Sequence, residues 1–580
     1  AEKARDSLRA APIYLADDET VQSISASPSG RSALLFTSIP AKGRKPTIVP
    51  DWVTTSGYVT DITGRENVGD AQESGRVGLV DLPTGKVNWL SLVPGDSTAA
   101  PAWANPMGWN DAGTAALIFA VTKDFKRRIL WRVDADKADK AGKADRAGKA
   151  DEAGKADAVR LNALDSLRDT AWVDGPCFGC GGWLEGGKRA WYVSEADGWA
   201  HLYSVAADGS DKRQLTSGKW EVRGAEVSPD GKSFVLHTSE GSPYEQHAWQ
   251  MSVEGGALTE VTPRTGRHQA TVSPDGKLIA DLFSTADRPP EIFVGPSRPG
   301  AELAQVTTSP TAEWLKGPWI DPAIISIKAS DGVLVPAHIY RPQDLGAKPN
   351  GAAVIFVHGA GYLQNVMRGW SDYYSREYQF HHLLAAKGYV VLDLDYRGSA
   401  GYGRDWRTAI YRHMGGRDLQ DEVDASRYLQ AQYGIGPDHV GIYGGSYGGF
   451  MTLMALFTEG KHFGAGAALR SVTDWAHYNH GYTAEILNTP AQDSVAYRQS
   501  SPIYFAAGLD KPLLMAHGMI DTNVEYQDIV RLEERLIELH KTGWTLASYP
   551  VEDHGFVRPD SWTDEYRRIL GLFERYLPVK

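Results

Sequence analysis

Cysteine is nearly missing from this chain, with Cys177 and Cys180 the only two among 580 residues. Two cysteines cannot build a disulfide framework, and no histidine or second cysteine pair lies near them to complete a zinc site. What remains is a local disulfide, which would indicate an oxidising compartment, or two free turn cysteines. On the first reading the protein is periplasmic or secreted; on the second a cytoplasmic location stays open. Long apolar runs are also lacking, and the longest, around Ala352–Val357 and Tyr389–Leu392, are strand-sized, so no membrane span is expected. Nor is there an excess of basic charge. With 60 Lys+Arg against 72 Asp+Glu the formal charge is −12, and no basic stripe interleaved with aromatics appears, which argues against nucleic acid as a partner. The chain starts at Ala1 without a Met or a signal-like apolar region, as a processed mature chain or a trimmed one would. With 42% hydrophobic and 23% charged residues, the rest is an ordinary globular composition, long enough for two domains.

Residues 1–315 carry a repeated grammar in which a tight turn precedes an apolar, strand-like run. The turns are Ser27-Pro28-Ser29-Gly30, Asn110-Asp111-Ala112-Gly113, Leu184-Glu185-Gly186-Gly187, Ser228-Pro229-Asp230-Gly231 and Ser273-Pro274-Asp275-Gly276. The last three glycines are spaced 44 and 45 residues apart, the period of a four-stranded propeller blade. Five such units predict an N-terminal β-propeller, incomplete beside the larger rings common in enzymes, with another all-β array as the alternative. Lys137–Asp157 is a hexad repeat of Lys, Ala, Asp and Gly without a large apolar residue, and reads as a solvated insertion in the second unit.

From residue 316 to 580 strands alternate with helices. Apolar runs at Ala352–Val357, Val390–Asp395, Val440–Tyr443 and Pro512–His517 are separated by helical patterns such as Arg417–Tyr433. Continuous apolar strands between helices imply a mostly parallel sheet covered on both faces. The run Val440–Tyr443 leads into Gly444-Gly445-Ser446-Tyr447-Gly448-Gly449, a GxSxG sequence between a strand and a helix, as a nucleophile elbow requires. A serine needs a base and an orienting acid, in the order Ser, Asp, His if this is an α/β-hydrolase. Asp521 follows the Pro512–His517 strand, and His554 sits in a second loop before the last helix. Nearby Asp510, Glu525, Glu552, Asp553 and His517 rank behind them on position. The expected oxyanion donors are the amide of Tyr447 and a group from the loop after Val357, His358 or Tyr362.

These motifs resemble the prolyl oligopeptidase family of serine peptidases, most closely its dipeptidyl peptidase IV branch. The likeness rests on Gly-Gly-Ser446-Tyr447-Gly-Gly, on His517-Gly-Met-Ile-Asp521-Thr-Asn523-Val524, and on Glu-Asp-His554-Gly. Gly198-Trp-Ala-His201-Leu-Tyr203 and the stretch ending at Trp220 extend it into the first half. The resemblance implies a proline-accepting pocket formed by Tyr447, Val472, Trp475, Tyr478, Tyr482 and Val524, with Asn523 at its edge. It implies hydrolysis after proline or alanine in short peptides, and no motif in the sequence calls for a metal, nucleotide or flavin. Two departures accompany it. No Glu-Glu pair for a substrate amine precedes Glu533-Glu534, leaving Asp17, Asp18 and Glu19 as the substitute. His358 stands where the family has its oxyanion tyrosine. An acylaminoacyl-peptidase or esterase would use the same triad, and a propeller binding module with an inactive hydrolase domain is the reading from another class. A homo-oligomer is left open.

Overall fold

A computed structural model describes residues 12–93, 101–135 and 159–579. The Lys137–Asp157 repeat lies outside the described residues. By contacts the chain forms two compact units rather than dividing at one cut near 315: residues 1–44, 71–236 and 249–259 make the first, and 45–70, 237–248 and 260–580 the second.

The N-terminal half holds five four-stranded antiparallel sheets, the propeller-like arrangement that the turn period predicts. Four of the five turns are closed by their own side chains, and the Leu184–Gly187 turn by its backbone alone. Ser228 Oγ lies 2.7 Å from Asp230 Oδ1, the Gly231 N–H donates to the Ser228 carbonyl, and Gly231 takes φ +71°, a left-handed conformation that glycine adopts without a Cβ clash. In the first unit, Leu34, Phe36 and Leu79 of the first sheet pack against Ile118, Ile129 and Trp131 of the second. Phe119 and Leu130 of the second meet Tyr192 and Val205 of the third. This face-to-face burial explains why Ala115–Val121 is apolar on both sides. His201, from the segment that carries the family likeness, is structural: its ring nitrogens lie 3.0 Å from Thr216 Oγ1 and from the Gly218 carbonyl oxygen. Cys177 and Cys180 form a disulfide across a turn.

The second unit contains an eight-stranded sheet. We number its strands β1 (Ala323–Lys328), β2 (Leu334–Tyr340), β3 (Ala353–Val357), β4 (Val390–Leu394), β5 (Val440–Gly445), β6 (Ala465–Leu469), β7 (Leu513–Gly518) and β8 (Trp544–Tyr549). The spatial order is β1-β2-β4-β3-β5-β6-β7-β8, antiparallel through β2 and parallel from β4 to β8. Helices α1 (Ser375–Ala386), α2 (Arg417–Tyr433), α3 (Tyr447–Thr458), α4 (Tyr526–Glu538) and α5 (Pro559–Tyr576) are the longest. Tyr378, Leu384, Ile569 and Phe573 place α1 and α5 on the sheet face that carries Phe356, Tyr443 and Ala467. The opposite face holds α3, because a Cβ at Gly466 would stand 2.8 Å from Leu456. Every residue of β3 to β7 is buried, including Asp393 of β4 and His517 of β7, as strands covered on both faces require. No helix among the described residues is long and apolar enough to cross a membrane.

Candidate active site

Ser446 lies between β5 and α3 with φ +59° and ψ −117°, a conformation that costs energy in a residue with a Cβ. The turn closes only because its neighbours lack side chains. A Cβ at Gly444 or Gly448 would stand 2.2 or 2.0 Å from the Val357 carbonyl oxygen. The Ser446 N–H donates to the Leu469 carbonyl, which fixes the elbow to β6. Ser446 Oγ is hydrogen-bonded to no described residue and faces a cavity of about 560 Å³.

Asp521 follows β7 and is fully buried. One carboxylate oxygen accepts the N–H groups of Asn523 and Val524 at 2.9 and 2.8 Å, and the other lies 2.8 Å from His554 Nδ1. Burial opposes the charge, but hydrogen bonds from His517 and His554 outweigh it and hold the carboxyl well below the usual range. Asp521 is therefore held as an anion against Nδ1 of the His554 ring. The rival residues have other work. Asp553 accepts the N–H groups of Thr522 and His554, tying the two loops together, and buried Glu552 accepts those of Val557 and Arg558. His517 Nε2 lies 2.7 Å from the Val524 carbonyl oxygen.

Beside Ser446 the cavity is walled by Tyr447, Val472, Trp475, Tyr478 and Tyr482, with Asn523 at the edge. Trp475 is the centre of this box, with the Tyr447, Tyr478 and Tyr482 rings 5.9, 5.5 and 5.9 Å from it. The Tyr478 hydroxyl donates to Asn523 Oδ1 at 2.6 Å, and that of Tyr447 to buried Asp418 at 2.6 Å, which locks both rings. Val524 is buried and is not among the residues lining the cavity.

Two expected roles, those of His358 and of Asp17, Asp18 and Glu19, are corrected, while Tyr362 lines the same cavity as Ser446. His358 offers no oxyanion donor: it is buried away from the cavity, with Nε2 2.9 Å from Ser399 Oγ and Nδ1 3.0 Å from the Gly359 carbonyl oxygen. Burial pushes its pKa down to about 4, so the ring is neutral. Tyr362 stays at the mouth, 52% exposed, its ring 5.9 Å from that of Tyr482. Glu19 is no amine receptor, since Arg76 and Thr37 already occupy its carboxylate inside the first unit, and Asp17 and Asp18 are exposed beside it.

Two residues enter that motif reading did not find. Tyr374, just before α1, accepts the Gly359 N–H at 2.6 Å, while its own O–H donates to no described residue. A Cβ at Gly359 would stand 2.9 Å from that hydroxyl and 3.3 Å from Ser446 Cβ, so both flank one point of the cavity wall. Arg65, from an insertion inside the first sheet's sequence, donates to the Asn523 carbonyl at 2.6 Å, and its guanidinium lies 4.9 Å from the Tyr478 ring centre. Neither has a sequence signature, and only the fold brings them here.

Residues 375–580 match the model of the prolyl oligopeptidase family, and residues 68–290 match that of the dipeptidyl peptidase IV N-terminal region. Among curated proteins, dipeptidyl peptidase 8 of Homo sapiens is 29% identical over 385 residues, covering 63% of this chain and 42% of that protein. Dipeptidyl-aminopeptidase B of Aspergillus niger is 25% identical over 442 residues, covering 67% of this chain and 47% of that protein. The chain thus spans less than half the length of the curated relatives it matches. The crystal structure of Porphyromonas gingivalis dipeptidyl peptidase 4 superposes with a TM-score of 0.80 at 23% identity, over 96% of this chain and 74% of that one.

Proposed function

We propose that this chain, which carries a prolyl oligopeptidase family domain and a dipeptidyl peptidase IV N-terminal region, is a serine peptidase that cleaves short peptides after proline or alanine. The carrying observation is that His554, paired with buried Asp521, lines the same cavity as Ser446, beside an aromatic box around Trp475. A pyrrolidine ring is flat, apolar and without an amide proton, so it fits such a box without leaving a donor unpaired.

His554 removes the Ser446 proton as the oxygen attacks the substrate carbonyl, after the small rotations that substrate binding imposes on a free site. Asp521 stabilises the resulting imidazolium. The developing oxyanion receives the Tyr447 N–H, at the start of α3, and the unused Tyr374 O–H. His554 then returns its proton to the leaving amine, and water, activated by the same histidine, hydrolyses the acyl-enzyme. The relatives' names favour release of dipeptides, and the disulfide favours a periplasmic or extracellular location.

The test is release of a chromogenic amide from Ala-Pro and from N-blocked Gly-Pro substrates, with Ser446→Ala as control. Ser446-dependent hydrolysis of the free-amine substrate is expected, with the variant at least about 10⁴-fold slower. Preference for simple acyl esters over both would point instead to the esterase, and cleavage of neither would end the peptidase reading.

A further inference from the structure

Resting on the peptidase reading above, we infer that the half of the cavity beyond Ser446 is a binding site for a carboxylate on the leaving residue, received by Arg470. Because His554 protonates the leaving amine, the departing fragment must lie within its reach. That side of the cavity is lined by Phe556 and Trp562, just after His554, and by Tyr373, Arg376 and Arg470.

Arg470 is an unusual residue here. It follows β6 with φ +40°, a left-handed conformation that a residue with a Cβ adopts only under constraint. Its guanidinium lies against the backbone of the residue before the nucleophile, where a Cβ on Gly445 would stand 2.7 Å from Cζ and from Nη2. A strained backbone and a missing side chain together admit one guanidinium to the cavity wall. Once there, it makes no hydrogen bond to any described residue, and its Nη1 is buried without a partner. The Trp562 ring lies 5.7 Å from it, and Arg376 sits 4.8 Å from the same ring.

The nearest anions keep Arg470 charged without occupying its donors: burial opposes the charge, but the fields of Glu565 and Glu377 outweigh it and raise the pKa. Glu377 and Glu565 are buried in the neighbourhood, but neither forms an ion pair with Arg470. Burial raises the Glu565 carboxyl to about 7, so near neutral pH it only partly offsets the arginine. Asp372, at the rim, is paired with Arg267 at 2.8 Å. A guanidinium with one buried nitrogen left without a hydrogen bond is costly, and a planar carboxylate fits its fork. Such a carboxylate comes from the C-terminus of a tripeptide or from an acidic side chain on the residue after the scissile bond.

The experiment compares kcat/KM for Ala-Pro-Phe as free acid and as C-terminal amide, and for Ala-Pro-Glu amide against Ala-Pro-Gln amide, in the full chain and in Arg470→Met and Arg470→Lys. The anionic member of at least one pair should be preferred by about tenfold or more, the yield of one charge-assisted contact. The first pair reads a C-terminal source, the second a side-chain source. Arg470→Met should bring the ratio close to one, and Arg470→Lys should keep part of it. Ratios do not depend on how much of a variant folds, so a merely structural role for Arg470 would leave them unchanged. Equal rates within both pairs in the unmodified chain, or a ratio that survives Arg470→Met, would overturn the carboxylate site alone. Absence of Ser446-dependent cleavage of every prolyl substrate would overturn the peptidase reading and this inference with it.

Discussion

Tyr374 brings a hydroxyl to the cavity wall beside Ser446, where motif reading expects His358. Its oxygen accepts the Gly359 N–H, so the remaining proton is aimed by a bond already made. Removing one preorganised oxyanion donor typically costs about 10²–10³ in kcat. Tyr374→Phe is therefore expected to lower kcat for an Ala-Pro anilide by about that factor, with KM changed little, and steady-state kinetics checks it. A loss confined to KM would assign the hydroxyl to substrate binding instead. Ser446, Asp521 and His554 were legible as residues because their chemistry comes with glycines and loop positions that leave a local pattern. Tyr374 was not, because the space between it and Ser446 is created by the chain crossing at Gly359. His358 matched a motif position and still failed, because Ser399 Oγ lies 2.9 Å from the nitrogen that would have had to donate.

At the level of elements, the elbow between β5 and α3 was readable because the glycine spacing states its own geometry: both Gly444 and Gly448 approach the Val357 carbonyl too closely for any Cβ. Helix α2 was likewise expected over Arg417–Tyr433 and is found there. The ribbon formed by Ile48–Asp51 and Thr60–Thr63 is a different case. Its sequence resembles any hairpin of the first half, yet residues 45–70 pack with the hydrolase unit, where the Val68 N–H donates to the Tyr478 carbonyl. Through Arg65 this insertion holds the Asn523 backbone and one wall of the aromatic box. Arg65→Met should lower kcat/KM for Ala-Pro substrates by about tenfold, the scale of one hydrogen bond from a charged donor. The melting temperature should stay within a few degrees of the unmodified chain. Unchanged kinetics would show that the box keeps its shape without this contact.

For the whole molecule, the hydrolase unit is assembled from three separate stretches, 45–70, 237–248 and 260–580, and not from one continuous segment. The Arg368 N–H donates to the Tyr244 carbonyl, and Arg267 pairs with Asp372, so the earlier segments are fastened to the region that precedes α1. A fragment of residues 316–580 keeps the triad but loses these contacts and Arg65. It should retain less than about a tenth of the intact chain's prolyl hydrolysis and melt at a lower temperature, as expected for a unit cut through its own packing. Calorimetry and kinetics on the fragment test this, and full activity would show that residues 316–580 form the site unaided. The sequence by itself determined the propeller-like repeat, the α/β sheet and the order of the candidates Ser446, Asp521 and His554, because periodicity, turn chemistry and glycine spacing are local properties of a chain. Only the tertiary structure decided that Tyr374 rather than His358 faces Ser446, that Arg65 reaches Asn523, and that the Arg470 guanidinium stands beside Gly445, the neighbour of Ser446, with no hydrogen bond to any described residue. Those relations depend on which distant backbones come within 3 Å of one another, and no local pattern encodes that.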